Sequence, residues 1–386
     1  MRALSASAAG KIALMDAVPR FGAEEELLLV DPDTGAPRGR AGAVRDESGG
    51  TLDGEIRTEQ VETATAPHAD VTGLAEDLRR RRAEAREAAH AAGVDVAGLA
   101  TSPIAPDEAF EPAAVPAGRY GRIADRFGAI ATAQLTSGQH VHVEVASPEE
   151  GVGVPDRIGP WLPVLRALAA NSPCWRGRDT TYASYRTVVW SRWPSAGPTR
   201  VFGSLAAYDA AVAAMLATDT VLDEGMVYFD ARLSKALGTV EVRVADVGLE
   251  VDDALIVAVL VRALVATASR AWRRDEPPPS EPVEALRLAH WRAARFGLTG
   301  DLVDPREGHP APAAAVLGTL REHVAGALAD AGDTERAEQG VARLLAEGTG
   351  AERQRAAARA AHGDLTAVVR DAQERFQRSS SPRVRE

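Results

Sequence analysis

Cysteine occurs once in 386 residues, as Cys174. That excludes an intramolecular disulfide and a Cys-rich zinc module, and makes a reducing cytoplasm the natural setting. Lysine is almost as scarce: of 44 basic residues only Lys11 and Lys235 are lysines, and the rest are arginines. No function follows from that bias. Long apolar runs are missing from the first 20 residues, where IALM and AV are interrupted by Lys11 and Asp16. Neither a secretory h-region nor a membrane span is expected there, and the expected location is cytoplasmic. An excess of positive charge is absent as well. The 55 acidic residues leave a net charge of −11, which argues against nucleic-acid or anionic-membrane partners. GxxxxGK[ST] and a strand-linked GxGxxG do not occur, so neither a P-loop nor a Rossmann nucleotide site is supported.

What is present is a globular chain, 45% hydrophobic, long enough for two average domains or one large one, with small-molecule partners. Period-2 stretches predict strands over 21–30, 55–64, 94–100, 138–146, 226–233 and 238–246. Helical periodicity predicts helices over 73–92, 160–171, 205–219, 252–272, 283–296, 311–331 and 350–376. The strands lack regular βαβ alternation, so the expected class is α+β: a mainly antiparallel sheet with helices on its outer face. RRDEPPPSEP at 273–282 cannot continue a helix and divides a catalytic body, 18–272, from a helical C-terminal section, 273–376, packed on the same domain. Residues 1–17 and 377–386 are expected to be flexible.

Alternation along each strand sorts its side chains by face. GQHVHVEVA opposes Val141, Val143 and Val145 to His140, His142 and Glu144. GTVEVRVAD opposes its valines to Glu241 and Arg243, and YFDARL places Tyr228, Asp230 and Arg232 together. In FGAEEELLLV, Glu24 and Glu26 share a face while Glu25 takes the other. Glu25 is therefore expected to tolerate substitution far better than its neighbours. Gln60 and Glu62 form a fifth such pair. A solvated sheet face explains any one strand, but recurrence of Glu, His, Gln and Arg on five strands points to a shared site. Converging carboxylates repel unless a cation neutralises them. An oxygen-rich set suits Mg²⁺ or Mn²⁺, ions that commonly accompany nucleotide phosphates. GRDTTYASYR contributes Arg178 and Arg186, whose guanidinium forks match carboxylate or phosphate.

GAEEELLLVDPDTG, EQVETATAPH, SGQHVHVEV, LAANSPCWRGRDTTYASYR, DARLSKALGTVEVRVADV, WRAARFGL followed by LVDP, and GAERQR together resemble the glutamate–cysteine ligase type 2 family, in particular its carboxylate–amine ligase (YbdK-type) branch, over roughly residues 20–360. The resemblance implies a glutamine-synthetase-like catalytic funnel and an ATP-dependent ligase. The γ-carboxylate of glutamate would be activated as an acyl phosphate and joined to an amine, with weak glutamate–cysteine ligase-like activity. It implies Glu24, Glu26, Glu62 and Glu241 as ligands to Mg²⁺ or Mn²⁺. Arg243, Arg232 and Arg178 would be catalytic, and Gln134, His140, His142, Arg186, Tyr182 and Glu55 would bind substrate or ATP. Expected partners are ATP, glutamate or a related carboxylate, and an amine or amino acid; homo-oligomerisation is left open. The chain departs from the branch at Gln139, where cysteine is usual, at Glu144 (glycine), at Leu233 (proline) and at His290 (asparagine). These departures put substrate shape in question more than phosphoryl chemistry.

Two other readings compete. A metal-dependent hydrolase would use His140 and His142, with Glu144, around Zn²⁺, but leaves the four glutamates without a role. A non-catalytic homologue would bind ATP or an amino acid without turnover. Cys174 reads as core packing. The run EDLRRRRAEAREAAH reads as a solvated helix with i, i+4 charge pairs.

Overall fold

The computed structural model describes residues 18–105 and 118–381; the expected flexibility of 1–17 and of the last five residues lies outside them. One sheet organises the molecule. Its strands are β1 (Phe21–Val30), β2 (Asp53–Gly54), β3 (Gln60–Ala64), β4 (Asp95–Ala97), β5 (Gly138–Glu144), β6 (Ala231–Ser234) and β7 (Thr239–Asp246). Their order is β2-β3-β1-β5-β7-β6, with β4 pairing the C-terminal half of β1. Every ladder is antiparallel. Directly opposed residues in such ladders project to the same face. Register therefore sets Glu26 against Glu62, Glu24 against His140, and Glu241 between His142 and Arg232.

The opposite face is apolar. Phe21, Ala23, Val141, Val143, Val240 and Val242 are buried there with the long central helix. The principal helices are α1 (Val71–Ala91), α2 (Arg119–Phe127), α3 (Leu162–Leu168), α4 (Tyr185–Trp190), α5 (Val251–Arg273), α6 (Val283–Phe296), α7 (Ala313–Ala331), α8 (Thr334–Glu347), α9 (Gly350–Ala360) and α10 (Leu365–Ser380). Helix α5 is apolar nearly all round, from Ala254 to Ala268, because it is sandwiched between the sheet and the C-terminal helices.

Ion pairs fasten those C-terminal helices to the N-terminus of α5. Arg353 donates to Glu250 at 2.8 Å and Asp253 at 2.7 Å, and Arg343 reaches Asp253 at 2.7 Å. Glu250 and Asp253 also form the reciprocal capping box of α5, where negative charge complements the helix dipole. Gln354 Nε2 donates to both Asn171 O and Asn171 Oδ1, while Asn171 Nδ2 donates to the carbonyls of Gly98 and Val247. GAERQR and LAANSP are thus joining segments.

Several boundaries move. The strand expected over 55–64 forms only at 60–64, since buried Arg57 ties the preceding loop to Glu59 and to the Thr132 carbonyl at 2.7 Å. The strand over 226–233 forms at 231–234. The single helix over 350–376 breaks after Ala360, where His362 (φ 55°) and Gly363 (φ 93°) adopt left-handed conformations that end a helix. Residues 377–380 are helical, and Ser380 is buried: α10 lays Val368, Val369, Ala372 and Phe376 against the body, which corrects the expected flexibility at 377–380.

Glu25 requires the largest correction. It does leave the acidic face, but it is fully buried and doubly bonded to Arg82 of α1, at 2.6 and 2.9 Å. Arg82 is also fully buried, donates to the Gly248 carbonyl and stacks over Phe376. The arginine-rich helix is solvated as expected at Arg80, which pairs with Glu84, but not at Arg82.

Candidate active site

The polar face of the sheet floors a cleft of about 500 Å³. Glu24, Glu26, Glu55, Glu62, Gln134, His140, His142, Arg232, Glu241 and Arg243 all line it. Strand register alone brings most of them together. Glu24 lies between the two histidines, with His140 Nδ1 at 3.3 Å and His142 Nε2 at 3.2 Å. Glu241 is held by Arg232 Nε at 2.6 Å and by Arg243 Nη1. Glu26 Oε2 accepts from the Gly138 amide at 2.6 Å. Gln134 Oε1 and His140 Nε2 are buried without a hydrogen-bond partner.

The electrostatics divide the carboxylates into two groups. Burial raises the pKa of Glu24, but hydrogen bonds from His140 and His142 outweigh it and hold the group well below the usual range. Burial likewise opposes ionisation of Glu241 and is overcome by Arg243 and Arg232. On the β1/β3 side the pull of Arg243 on Glu55 is outweighed. Burial and then the charge of Glu26 push Glu55 up to about 7, and burial followed by Glu55, Glu24 and Glu26 raises Glu62 well above its ordinary value. This is the signature of carboxylates gathered without enough positive charge. Ligand atoms of Glu24, His140 and Glu241 lie within 4.8 Å of one another, a spacing that one divalent cation can bridge. The donor set therefore fits a metal ion, with Glu26 and Glu62 beside it.

The raised value of Glu55 gives a stability prediction for protein freed of divalent ions. A carboxyl whose folded pKa lies above its ordinary 4.5 binds more protons when folded, so stability falls as pH rises from about 4.5 through about 7. Buried histidines such as His290 act in the opposite direction, so the comparison is with Glu55→Gln: in EDTA the wild type should lose melting temperature relative to that variant across this window and excess Mg²⁺ should flatten the difference; a difference level across the window in EDTA would contradict the charge-excess reading.

Arg178 and Tyr182 lie elsewhere. Arg178 is exposed on a two-residue ribbon with Trp175, and Tyr182 packs on Tyr185 and Trp291. Arg186 does not line the cleft but lies buried behind it, so close to Gly138 that a Cβ there would approach its Nη2 to 2.1 Å. Gly138→Ala must therefore displace Arg186 or distort β5 beside Glu26. Turnover should fall about tenfold or more in a protein that still folds, and a crystal structure of the variant should show the guanidinium moved; an unmoved Arg186 with full turnover would contradict this packing.

The departures also fall outside the cleft. Gln139 points to α5 and donates to the Ala254 carbonyl, Leu233 joins an apolar cluster, and Glu144 is exposed. None shapes the cleft, so the doubt they raised about substrate shape has no footing there. Among the described residues, Glu144 does not gather with the two histidines into a group that could hold a metal ion.

Arg119, Tyr120, Asp223, Trp190, Trp193 and Tyr228 line the cleft without having been singled out for its chemistry. Arg119 and Asp223 form a two-bond ion pair, each bond 2.8 Å, that closes one rim. Of these, Tyr228 alone carried a signal, through its place with Arg232 on one face of YFDARL.

Comparison with known proteins agrees with this geometry. The family described as glutamate–cysteine ligase family 2 matches residues 20–371. The chain belongs to that family. It is accordingly a C–N ligase of the carboxylate–amine type. A Streptomyces coelicolor protein provisionally named glutamate–cysteine ligase 2 is 51% identical over 340 residues, covering 86% of this chain and 93% of that one. A Paenarthrobacter aurescens protein provisionally named glutamate–cysteine ligase 2-1 is 47% identical over 354 residues, covering 88% and 91%. Among solved structures, glutamate–cysteine ligase from Francisella tularensis in complex with AMP superposes with a TM-score of 0.70 at 14% identity, covering 95% and 90% of the two chains. A bifunctional glutathione synthetase from Pasteurella multocida gives 0.67 at 16% identity, over 96% of this chain and 54% of that one. At such identities these structures show that the family member shares their fold. No described helix is long and apolar enough to cross a membrane.

Proposed function

We propose that this family member activates the γ-carboxylate of glutamate, or of a closely related acid, with ATP and joins it to an amine. The observation that carries the reading is the gathering of four glutamates, His140 and two arginines on one concave sheet face. An oxygen of the substrate carboxylate attacks the γ-phosphorus as the bond to ADP breaks, which turns a poor electrophile into an acyl phosphate. The amine nitrogen then attacks the acyl carbon, and inorganic phosphate leaves with the former carboxylate oxygen. Arg243 and Arg232 release Glu241 in part and donate to the transferring phosphoryl group, where negative charge develops. Glu55 lines the same cleft; a bound cation would lower its raised pKa and leave it ionised, suited to take the proton that the amine loses. Glu24, His140 and Glu241, with Glu26 and Glu62, would hold Mg²⁺ or Mn²⁺, which when bound neutralises phosphate charge.

The test is ADP release by purified protein with Mg-ATP and glutamate across a panel of amines and amino acids. Release that requires both glutamate and a particular amine supports the proposal. ATP binding without ADP release for any amine would instead favour a protein that binds nucleotide without turnover.

A further inference from the structure

A second cleft of about 500 Å³ lies on the other side of Trp190 and Trp193, with Trp291 on its outer wall. Arg166, Asp230 and His290 also line it, and each is more than nine-tenths buried. Arg166 donates to Thr187 Oγ1 at 2.6 Å and to Asp230 Oδ1 at 3.1 Å, leaving its Nε without a partner. Asp230 Oδ2 and both ring nitrogens of His290 are also unpartnered; Nε2 stands 3.3 Å from Oδ2 without forming a hydrogen bond. Buried polar atoms normally find partners; this cleft gathers four unsatisfied ones on Arg166, Asp230 and His290 and a fifth in Trp193 Nε1, as many as line the acidic cleft.

Their chemistry specifies a complement. Arg166 Nε can only donate, and Asp230 Oδ2 as a carboxylate oxygen can only accept. Burial, aided by Arg166 against the opposing pull of Asp230, drives the His290 pKa down to about 3, so its neutral ring offers one donor and one acceptor. The cluster is electrically balanced and would reject an added charge, while the indoles supply flat apolar walls. We propose that this cleft is a second ligand site, for a planar aromatic or heteroaromatic ring whose edge carries a donor beside an acceptor, as a primary carboxamide does. Trp190 serves both clefts and packs near Arg243 and Arg186, so an occupant would rest on the same indole that borders the acidic site. The inference is independent of the proposed reaction.

Nicotinamide is the probe, and nicotinate, which bears a charge and lacks the donor, is the control. Calorimetry and tryptophan fluorescence on the full chain should show saturable nicotinamide binding that persists in excess Mg-ATP and is weakened about tenfold or more with nicotinate. His290→Leu removes two unpartnered nitrogens at similar volume; it should leave the melting temperature unchanged or raised and weaken nicotinamide about tenfold or more. Trp291→Ala, at a half-exposed wall, should also weaken it and serves if the first variant misfolds. No saturable binding, equal affinity in the variant that folds, or displacement by Mg-ATP would overturn the proposal.

Discussion

Glu241→Gln is expected to lower Mg-dependent ADP release about a hundredfold to a thousandfold while the protein remains folded. The substitution keeps the side chain's shape and removes its charge at the point where β5, β6 and β7 converge on the cleft. Glu241 is almost fully buried, so solvent cannot replace what is lost. Its arginines are not left stranded: Arg243 still faces Glu26, and Arg232 still donates to the Val227 carbonyl at 2.8 Å. The loss should therefore appear in turnover, with circular dichroism unchanged. Glu26→Gln should act in the same direction, since Glu26 sits opposite Glu62 on the same face. Wild-type turnover in either variant would remove the acidic cluster from the chemistry.

Glu25→Ala should produce the largest loss of stability. The substitution leaves Arg82 charged and without solvent, with only the Gly248 carbonyl as hydrogen-bond acceptor. Breaking one side of a fully buried pair typically costs about 3–5 kcal/mol, a large part of a domain's net stability. Denaturant titration should show the midpoint falling accordingly. The double substitution Glu25→Leu with Arg82→Met should recover most of it, because an apolar pair of similar bulk removes both buried charges. A loss below about 1 kcal/mol for the single variant, the range of an exposed pair, would contradict the burial described. The triplet Glu24-Glu25-Glu26 thus faces two ways on one strand: the outer two residues line the cleft, and the middle one anchors α1.

The site was legible where it depends on alternation. Two-residue periodicity in β1, β3, β5 and β7 placed Glu24, Glu26, Glu62, His140, His142, Glu241 and Arg243 on common faces, and antiparallel register did the rest. Partners distant in sequence were not legible. Nothing in EDLRRRRAEAREAAH distinguishes Arg82 from its neighbours, because burial is decided by where α1 meets the sheet and α10. Arg178 and Tyr182 belong to a segment that also contains Arg186, Ser172 and Ser184, and only the last three turn inward: Ser172 and Ser184 donate to buried Asp246, while the Arg186 amide donates to Ser172 Oγ. Of the two arginines in that motif Arg186 is buried and Arg178 exposed, and neither lines the cleft. Arg119 and Asp223 are 104 residues apart and carry no periodic pattern, so their pairing emerges only from the fold.

An acyl-phosphate route requires that a carboxylate oxygen pass to phosphate before the amine attacks. It is tested most directly with glutamate labelled with oxygen-18 in its γ-carboxylate, incubated with Mg-ATP, the protein and whichever amine supports turnover. One labelled oxygen is expected in the inorganic phosphate for each amide bond formed, with Glu241→Gln lowering both together. Phosphate free of label, released in step with amide product, would contradict it.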